Sequence, residues 1–592
     1  MRLNKKLKIG FLPTLLVLVA MLVVACGGPA NQGGSTATPA TTHTKASQDK
    51  QIFISGVAEA GISDLATFDP ALVSDTGSEA AVDNVFTGLV QLDHNLQVQP
   101  QLAASYSVAS DGVTWTFKLR SNLMFSDGTP LTSADVVYSI TRALAPATQS
   151  PLGLYYLNII KGANDFNSGK AKTLTGISAP DANTVVIVAK KPAAYFLQTL
   201  TYPTSYVVEQ SVVKKWGTAW TDHLADNGGQ GGAGPFKVKE YTHNKQIIFV
   251  PDTNYYGPKP QLSEVIYPFF KAVDTTYQVY QVNGVNDSLI PSTHITTDRH
   301  RTDYVQSPQL AIFYFTMNFL QKPFDQISCR QAFALAVDKD LIAKSVFKDE
   351  VIATNHIVPK GEYGYNPGLT GPDGTTSTAG NTTKAKQDLQ ACMQAQGYSS
   401  VAQFPPITLT YASSGQQDFR NQAAAQQQMW QTTLGISVKI DDIDFNKLVG
   451  DENLGANNPL QFFSGPGWIA DYPDPQDWIT LQFDKVSAGA SNSMSFGQNK
   501  GPDAAAEQAL QLQMEQADVN GNKTAREQAY WSIEQTLVND VAWMPIYQST
   551  ANFLRKPCTQ GFVDNALGIV PPNDWGNIYI STDSPCASTT TS

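Results

Sequence analysis

Val113-Thr114-Trp115-Thr116-Phe117-Lys118-Leu119, followed by Asp127-Gly128-Thr129-Pro130 and Thr132-Ser133-Ala134-Asp135-Val136-Val137, decides the fold class. The first seven residues alternate apolar and polar side chains, the period of a half-buried strand. Asp127 to Pro130 is turn chemistry. Thr132 and Asp135 stand at capping-box spacing, with Asp in place of the usual Glu, and Val136, Val137, Ile140 and Leu144 then follow at helical spacing. Strand, turn and amphipathic helix in succession build mixed α/β folds.

The two patterns recur outward from this unit. Residues 183–189 hold the strand Val185-Val186-Ile187-Val188, and further strand patterns fall at 236–241, 246–250, 263–270 and 310–318. After Ser328 the period becomes helical, at 329–335, 339–347 and 383–396, the last ended by Gly397. Thr524 and Glu527 read as a capping box, before an apolar face of Tyr530, Ile533, Leu537 and Val538. Five glycines in the seven residues 228–234 read as a loop or hinge. No repeat of fixed period runs through the chain.

At the N-terminus Arg2, Lys5, Lys6 and Lys8 precede an apolar run that closes in Leu22-Val23-Val24-Ala25-Cys26. A charged start, a short apolar run and a small residue before the cut describe a secretory signal over 1–25. The run is short for a membrane span of about 20 residues. Residues 26–51 are mostly Gly, Ser, Thr, Ala and Pro, a flexible tether with a reach of roughly 25–30 Å, and 588–592 read as a disordered tail. Removing 1–25 from 592 residues leaves 567, enough for two to four domains. It also removes four positive charges and no acids, so the formal charge goes from −11 to −15. An acidic exterior argues against nucleic acid as a partner.

Five cysteines are present, and with Cys26 at the cut the even set Cys329, Cys392, Cys558 and Cys586 remains. Outside the cytoplasm four cysteines imply two disulfides in one of three pairings. The nearest-neighbour pairing, Cys329–Cys392 and Cys558–Cys586, is expected. No C-x-x-C or clustered Cys/His spacing points to a metal, and no cofactor is expected. H-E-x-x-H, G-x-S-x-G and G-x-x-x-x-G-K-[ST] do not occur. The seven histidines are scattered. An enzyme is therefore not expected.

Asn84-Val85-Phe86-Thr87-Gly88-Leu89-Val90, Pro100-Gln101-Leu102-Ala103, Trp115 to Arg120 and Phe125 to Val136 together resemble the family 5 extracellular solute-binding proteins, the peptide- and nickel-type receptors of ABC importers. Further matches follow in the family's order. They are Gly232-Ala233-Gly234-Pro235-Phe236, Asn318 with Pro323-Phe324, Arg330-Gln331-Ala332-Phe333, Ala336-Val337-Asp338-Lys339 and Gly467-Trp468-Ile469-Ala470-Asp471-Tyr472-Pro473-Asp474-Pro475. The Cys26 signal resembles that of bacterial lipoproteins, in which this Cys becomes a lipid-bearing N-terminus. The resemblance implies a periplasmic-binding-protein-like fold in which two lobes close over a ligand. Domain I is placed at 52–88, 206–316 and 546–587, domain II is the insertion 89–205, and domain III is 317–545. The implied protein is a monomeric, lipid-anchored receptor on the outer face of the cell membrane. It would take peptides and hand them to an importer permease. Nickel chelates, oligosaccharides and other metabolites are alternative ligands. A surface adhesion or signalling module and a secreted hydrolase are alternatives of other classes.

Within this frame Asp474 before Pro475 suits a helix N-cap, with Asp477 and Trp478 in the first turn. Asp471 lies earlier, in a Pro-bounded loop. The family's oligopeptide receptors place an Asp there to pair with a peptide's α-ammonium group, a charge-assisted bond in a closed cleft. Trp468, Tyr472 and Trp478 surround it as candidate pocket walls. A receptor indifferent to peptide sequence binds the ligand main chain as an added strand. The candidate backbone is 314–319, including Tyr314 and Asn318, with Gly465-Pro466-Gly467. Trp115, on a regular strand, reads as core.

Overall fold

The computed structural model describes residues 43–413, 416–452, 454, 457–464, 467–485, 492–501 and 503–588. The signal segment, Cys26 and most of the tether lie outside the described residues, as do Gly465 and Pro466.

Three larger sheets, beside two two-stranded ones, organise the described residues. The first runs in the order Ile52–Ile54, Glu264–Pro268, Gln246–Pro251, Phe236–Thr242, with the first pair parallel and the others antiparallel. It buries Phe53, Val238, Phe249 and Val265. Helix α1 (Thr76–Val85) joins that cluster through Ala81, Val82 and Val85. Asp75 caps α1, accepting from the Ser78 amide at 2.8 Å.

The second sheet, Ala103–Val108, Thr114–Leu119, Thr184–Val188, Ile177–Asp181, is antiparallel throughout. Trp115, Phe117 and Leu119 point inward and Lys118 outward, the alternation that the sequence carries. Helix Ser133–Leu144 covers the sheet with Val136, Ile140, Ala143 and Leu144. Its capping box forms, the Asp135 carboxylate accepting from the Thr132 amide at 2.8 Å. Each large apolar side chain so buried contributes about 1.5–3 kcal/mol.

The third sheet is eight-stranded and mixed. Its centre is an antiparallel pair of long strands, β1 (Tyr304–Met317) and β2 (Met544–Arg555). Asp287–Leu289 and Val351–Ala353 add to β2. Phe462–Ser464 and Trp468–Ile469 add to β1, and Ile407–Tyr411 and Val438–Asp442 continue in parallel beyond Phe462–Ser464. The strand expected from 310 thus starts at Tyr304. Polar Gln306, Ser307 and Gln309 hide it in the sequence, and Pro308 sits where the ladder with β2 is broken.

One sequence expectation changes. The helix near 524 spans Lys523–Asn539 and is capped by Asn522, whose side chain accepts from the Ala525 amide at 3.0 Å, so Thr524 lies inside it. The glycines of 228–234 form the expected loop, in which Gly232 and Gly234 serve close approach. A Cβ on Gly232 would lie 2.2 Å from the Val85 carbonyl oxygen, and one on Gly234 would lie 2.6 Å from that of Asn84. This segment is therefore pressed on the end of α1.

Cys329–Cys392 joins helices Ile327–Leu335 and Thr382–Gln396, and Cys558–Cys586 closes the C-terminal segment. By loop entropy each is worth about 3–4 kcal/mol. The two ends of the chain meet at Gln51. Its side-chain amide donates to the carbonyls of Ala46 and Ile580, both at 2.8 Å, and its oxygen accepts from the Ile580 amide at 2.9 Å.

Candidate functional site

Gly467 starts the site loop. Its φ of +88° is in the left-handed region, and a Cβ there would stand 2.9 Å from the Ile312 carbonyl oxygen. Glycine lets Trp468–Ile469 lie on β1, with Ile312 opposite Trp468 and the Ala470 amide donating to Leu310 at 2.9 Å. Asp471 follows at once. Pro475 then opens the short helix Pro475–Trp478 under the cap of Asp474, which accepts from the Gln476 amide at 3.0 Å.

Asp474 has a second partner that its capping role does not reveal. Arg526, on the helix Lys523–Asn539, donates to both of its carboxylate oxygens at 2.8 and 2.5 Å. The Gln198 amide adds a 3.3 Å bond from the second-sheet region. Asp474 is thus a buried tie.

Asp471 is held differently. Its carboxylate accepts from the Tyr155 hydroxyl, on helix Gly153–Leu157, and lies close to the carboxyl of Asp477. The Asp471 amide and the Trp468 indole both donate to Asp477 Oδ2 at 3.1 Å. Asp477 is fully buried and its Oδ1 has no hydrogen-bond partner. Burial raises both acids above the ordinary carboxylate range, Asp477 the more strongly, with the neighbouring Asp471 charge adding to it. Two adjacent carboxyl groups in a low dielectric hold a proton between them, and a cation is the species that would replace it.

The other candidates divide. Tyr472 stacks on Tyr195 with centroids 6.0 Å apart and meets Tyr156 edge-on at 6.4 Å, joining this loop to the core around the second sheet. Trp478 is wholly buried and donates to Glu362 Oε2 at 2.7 Å. Tyr314 stacks on Trp543 at 3.6 Å. Asn318 is 1% exposed, donates to the carbonyls of Asn458 and Leu460 at 3.2 and 3.0 Å, and accepts from the Leu320 amide. Trp478, Tyr314 and Asn318 therefore sit in packing positions rather than on an open wall. The backbone expected to take a ligand strand, 314–319, is partly paired within the sheet. Tyr314 and Phe315 pair with Pro545 and Met544 on one side, and Thr316 and Met317 pair with Phe463 and Phe462 on the other. Each of these four residues is thus paired on one side.

Opposite lies a wall that the sequence reading passed over. Tyr156 and Tyr202 stack at 3.9 Å, and the Tyr202 hydroxyl feels Glu79 and Asp83 of α1 as well as Asp471. The tyrosine pair thus stands between Asp471 and the acids of α1. A cavity of about 360 Å³, lined by Glu79 and Asp83, also runs over Ser55, Val57, Gln309 and Arg555. The available signal was the Tyr155-Tyr156 doublet, together with Glu79 and Asp83 at a four-residue interval in one helix.

The chain belongs to the bacterial extracellular solute-binding proteins, family 5, whose middle-region model matches residues 97–490. It is 28% identical over 522 residues to the dipeptide-binding protein DppE of Bacillus subtilis strain 168, covering 85% of this chain and 88% of DppE. It is 26% identical over 506 residues to the periplasmic murein peptide-binding protein MppA of Escherichia coli K12, covering 84% and 89%. A solved structure of MppA in its unliganded open form matches with a TM-score of 0.77 at 24% identity, covering 92% of this chain and 99% of that one.

Proposed function

We propose that this protein is a receptor that captures peptides between its lobes and presents them to an ABC importer. The observation that carries the reading is Asp471. Its carboxyl group is desolvated, is paired only with a tyrosine hydroxyl and a second acid, and stands at the mouth of a loop fixed by Gly467 and by the Asp474 tie. A peptide's α-ammonium supplies the missing cation. The relatives named for dipeptide and murein peptide binding support peptides over other solutes. Domain I is taken as 52–88, 206–316 and 546–587, domain II as 89–205 and domain III as 317–545, so that β1 and β2 are the two crossings between lobes. Lipid on Cys26 would hold the receptor at the outer face of the membrane.

Calorimetry with one tightly bound peptide and its N-acetylated form tests the role of Asp471. Wild type should reject the acetylated peptide, and Asp471→Asn should lose about 2–5 kcal/mol toward the free-amine form, roughly 30- to 4,000-fold. Equal affinity of wild type for both peptides removes Asp471 from this role.

A further inference from the structure

Asp75, Glu79 and Asp83 recur every fourth residue along α1 and its cap, so three carboxyl groups share one face. Like charges one turn apart cost an isolated helix about 0.2–0.5 kcal/mol a pair. Asp75 and Glu79 at least face the positive end of the helix dipole. Asp83 sits in the last turn, at the negative end. Glu59 comes in beside them. A point 3.1 Å from its Oε2, where a Cβ on Gly77 would stand, is 3.5 Å from Asp75 Oδ1.

These acids lack the counterions that buried carboxylates normally have. Glu59 is 1% exposed and neither of its oxygens has a hydrogen-bond partner. Asp75 Oδ2 and Asp83 Oδ1 are also buried without one. Among the described residues, the ion pairs formed by Lys, Arg and His include none of these four acids. The cation that lines the adjoining cavity, Arg555, is committed to Asp564 through two bonds of 2.9 and 2.6 Å. Burial pushes Glu59 up to about 9, Glu79 to about 8 and Asp83 to about 7.

The surroundings suit one kind of partner. Tyr206 and Tyr202 lie close enough to Asp83 and Glu79 to feel their charge, and aromatic faces attract cations. The cavity that Glu79 and Asp83 line continues over Phe53, Phe553, Phe562 and Trp575, aromatic surface along which an aliphatic stem can lie, with the Arg555 guanidinium over the Phe553 and Phe562 rings and Asp287 and Asp564 on the same wall. Resting on the peptide-receptor reading, we propose that this wall binds the lysine or arginine side chain of a captured peptide, with Glu79 and Asp83 as the specificity-determining residues. The stem lies along the aromatic surface and the head lies between the two carboxylates, so the receptor selects cationic peptides.

The test compares alanine tripeptides carrying lysine at the second or third position with the same peptides carrying norleucine, which keeps the stem and removes the charge. Titration calorimetry on the exported protein should show the better lysine peptide bound at least tenfold tighter than its norleucine partner. The Glu79→Gln/Asp83→Asn double variant should bring that ratio near one while holding the norleucine affinity, and Glu79→Gln alone should give an intermediate ratio. Peptides bound with a wild-type ratio near one, or a ratio unchanged in the variants, overturn this inference and leave the peptide reading standing. No binding of any of the peptides overturns both.

Discussion

Arg526 and Asp474 face each other as a two-pronged pair from which solvent is excluded, their side chains 4% and 0% exposed. The pair joins the helix Lys523–Asn539 to the start of the site loop, so it sets where Asp471 stands. Arg526→Met should leave Asp474 buried without its cation and cost about 3–5 kcal/mol, read as a lower urea midpoint. Adding Asp474→Asn should recover part of the loss, because Asn caps a helix nearly as well as Asp. A midpoint unchanged in the single variant would show that the pair is not structural.

Binding of a lysine peptide should strengthen as pH rises from 6 to 8. With Glu79 raised to about 8 and Asp83 to about 7, the empty site carries protons below those values. A lysine ammonium must displace them. Fewer remain to be displaced as pH climbs, so affinity rises and levels off above about 8. The expected slope is up to about tenfold per pH unit for each proton released. The groups that share this field are Asp75 on α1, Glu59 and Asp64 before it, Tyr156, Tyr202 and Tyr206, and the Asp471–Asp477 pair. Calorimetry in buffers of different ionisation enthalpy counts the protons, and a flat pH profile with none released would contradict the scheme.

If β1 and β2 carry the motion between lobes, ligand should make the protein more compact. Small-angle scattering of free and saturated protein is expected to show a smaller radius of gyration with ligand. An unchanged radius at saturation counts against closure.

Cys26→Ser should abolish lipid attachment and leave uncleaved or soluble protein. Mass spectrometry of the membrane fraction decides it, and lipid-modified, processed N-termini in the Ser variant would refute the role of Cys26.

Local chemistry was legible in the sequence, and distant pairing was not. The alternation at 113–119, the box at Thr132 and Asp135, and the cap of Asp474 before Pro475 each rest on a few neighbouring residues, and each forms. The Thr524 box failed because Asn522, two residues earlier, offers a competing cap. Tyr155 reaches Asp471 across 316 residues of sequence, and no local period announces that. The pairing within 314–319 is hidden for a related reason. A strand's own pattern does not say how many neighbours it has, and this one has a neighbour on each side. The glycines of 228–234 gave flexibility and close approach the same signature, and only α1 beneath them distinguishes the two.

Gln51 has a consequence for how the molecule comes into being. A chain is made from its N-terminus, so Ile52–Ile54 is among the first strands to exist, yet the partner of Gln51 lies 529 residues later. The parallel neighbour of that first strand, Glu264–Pro268, is made before the midpoint, but Cys558, Trp575, Ile578 and Ile580, which complete the same buried cluster, come near the end. The first sheet therefore cannot be sealed until synthesis is nearly finished, and its early apolar residues must stay uncommitted in the meantime. Loss of the final turn of chain around Ile580 would strike the beginning of the protein as hard as its end.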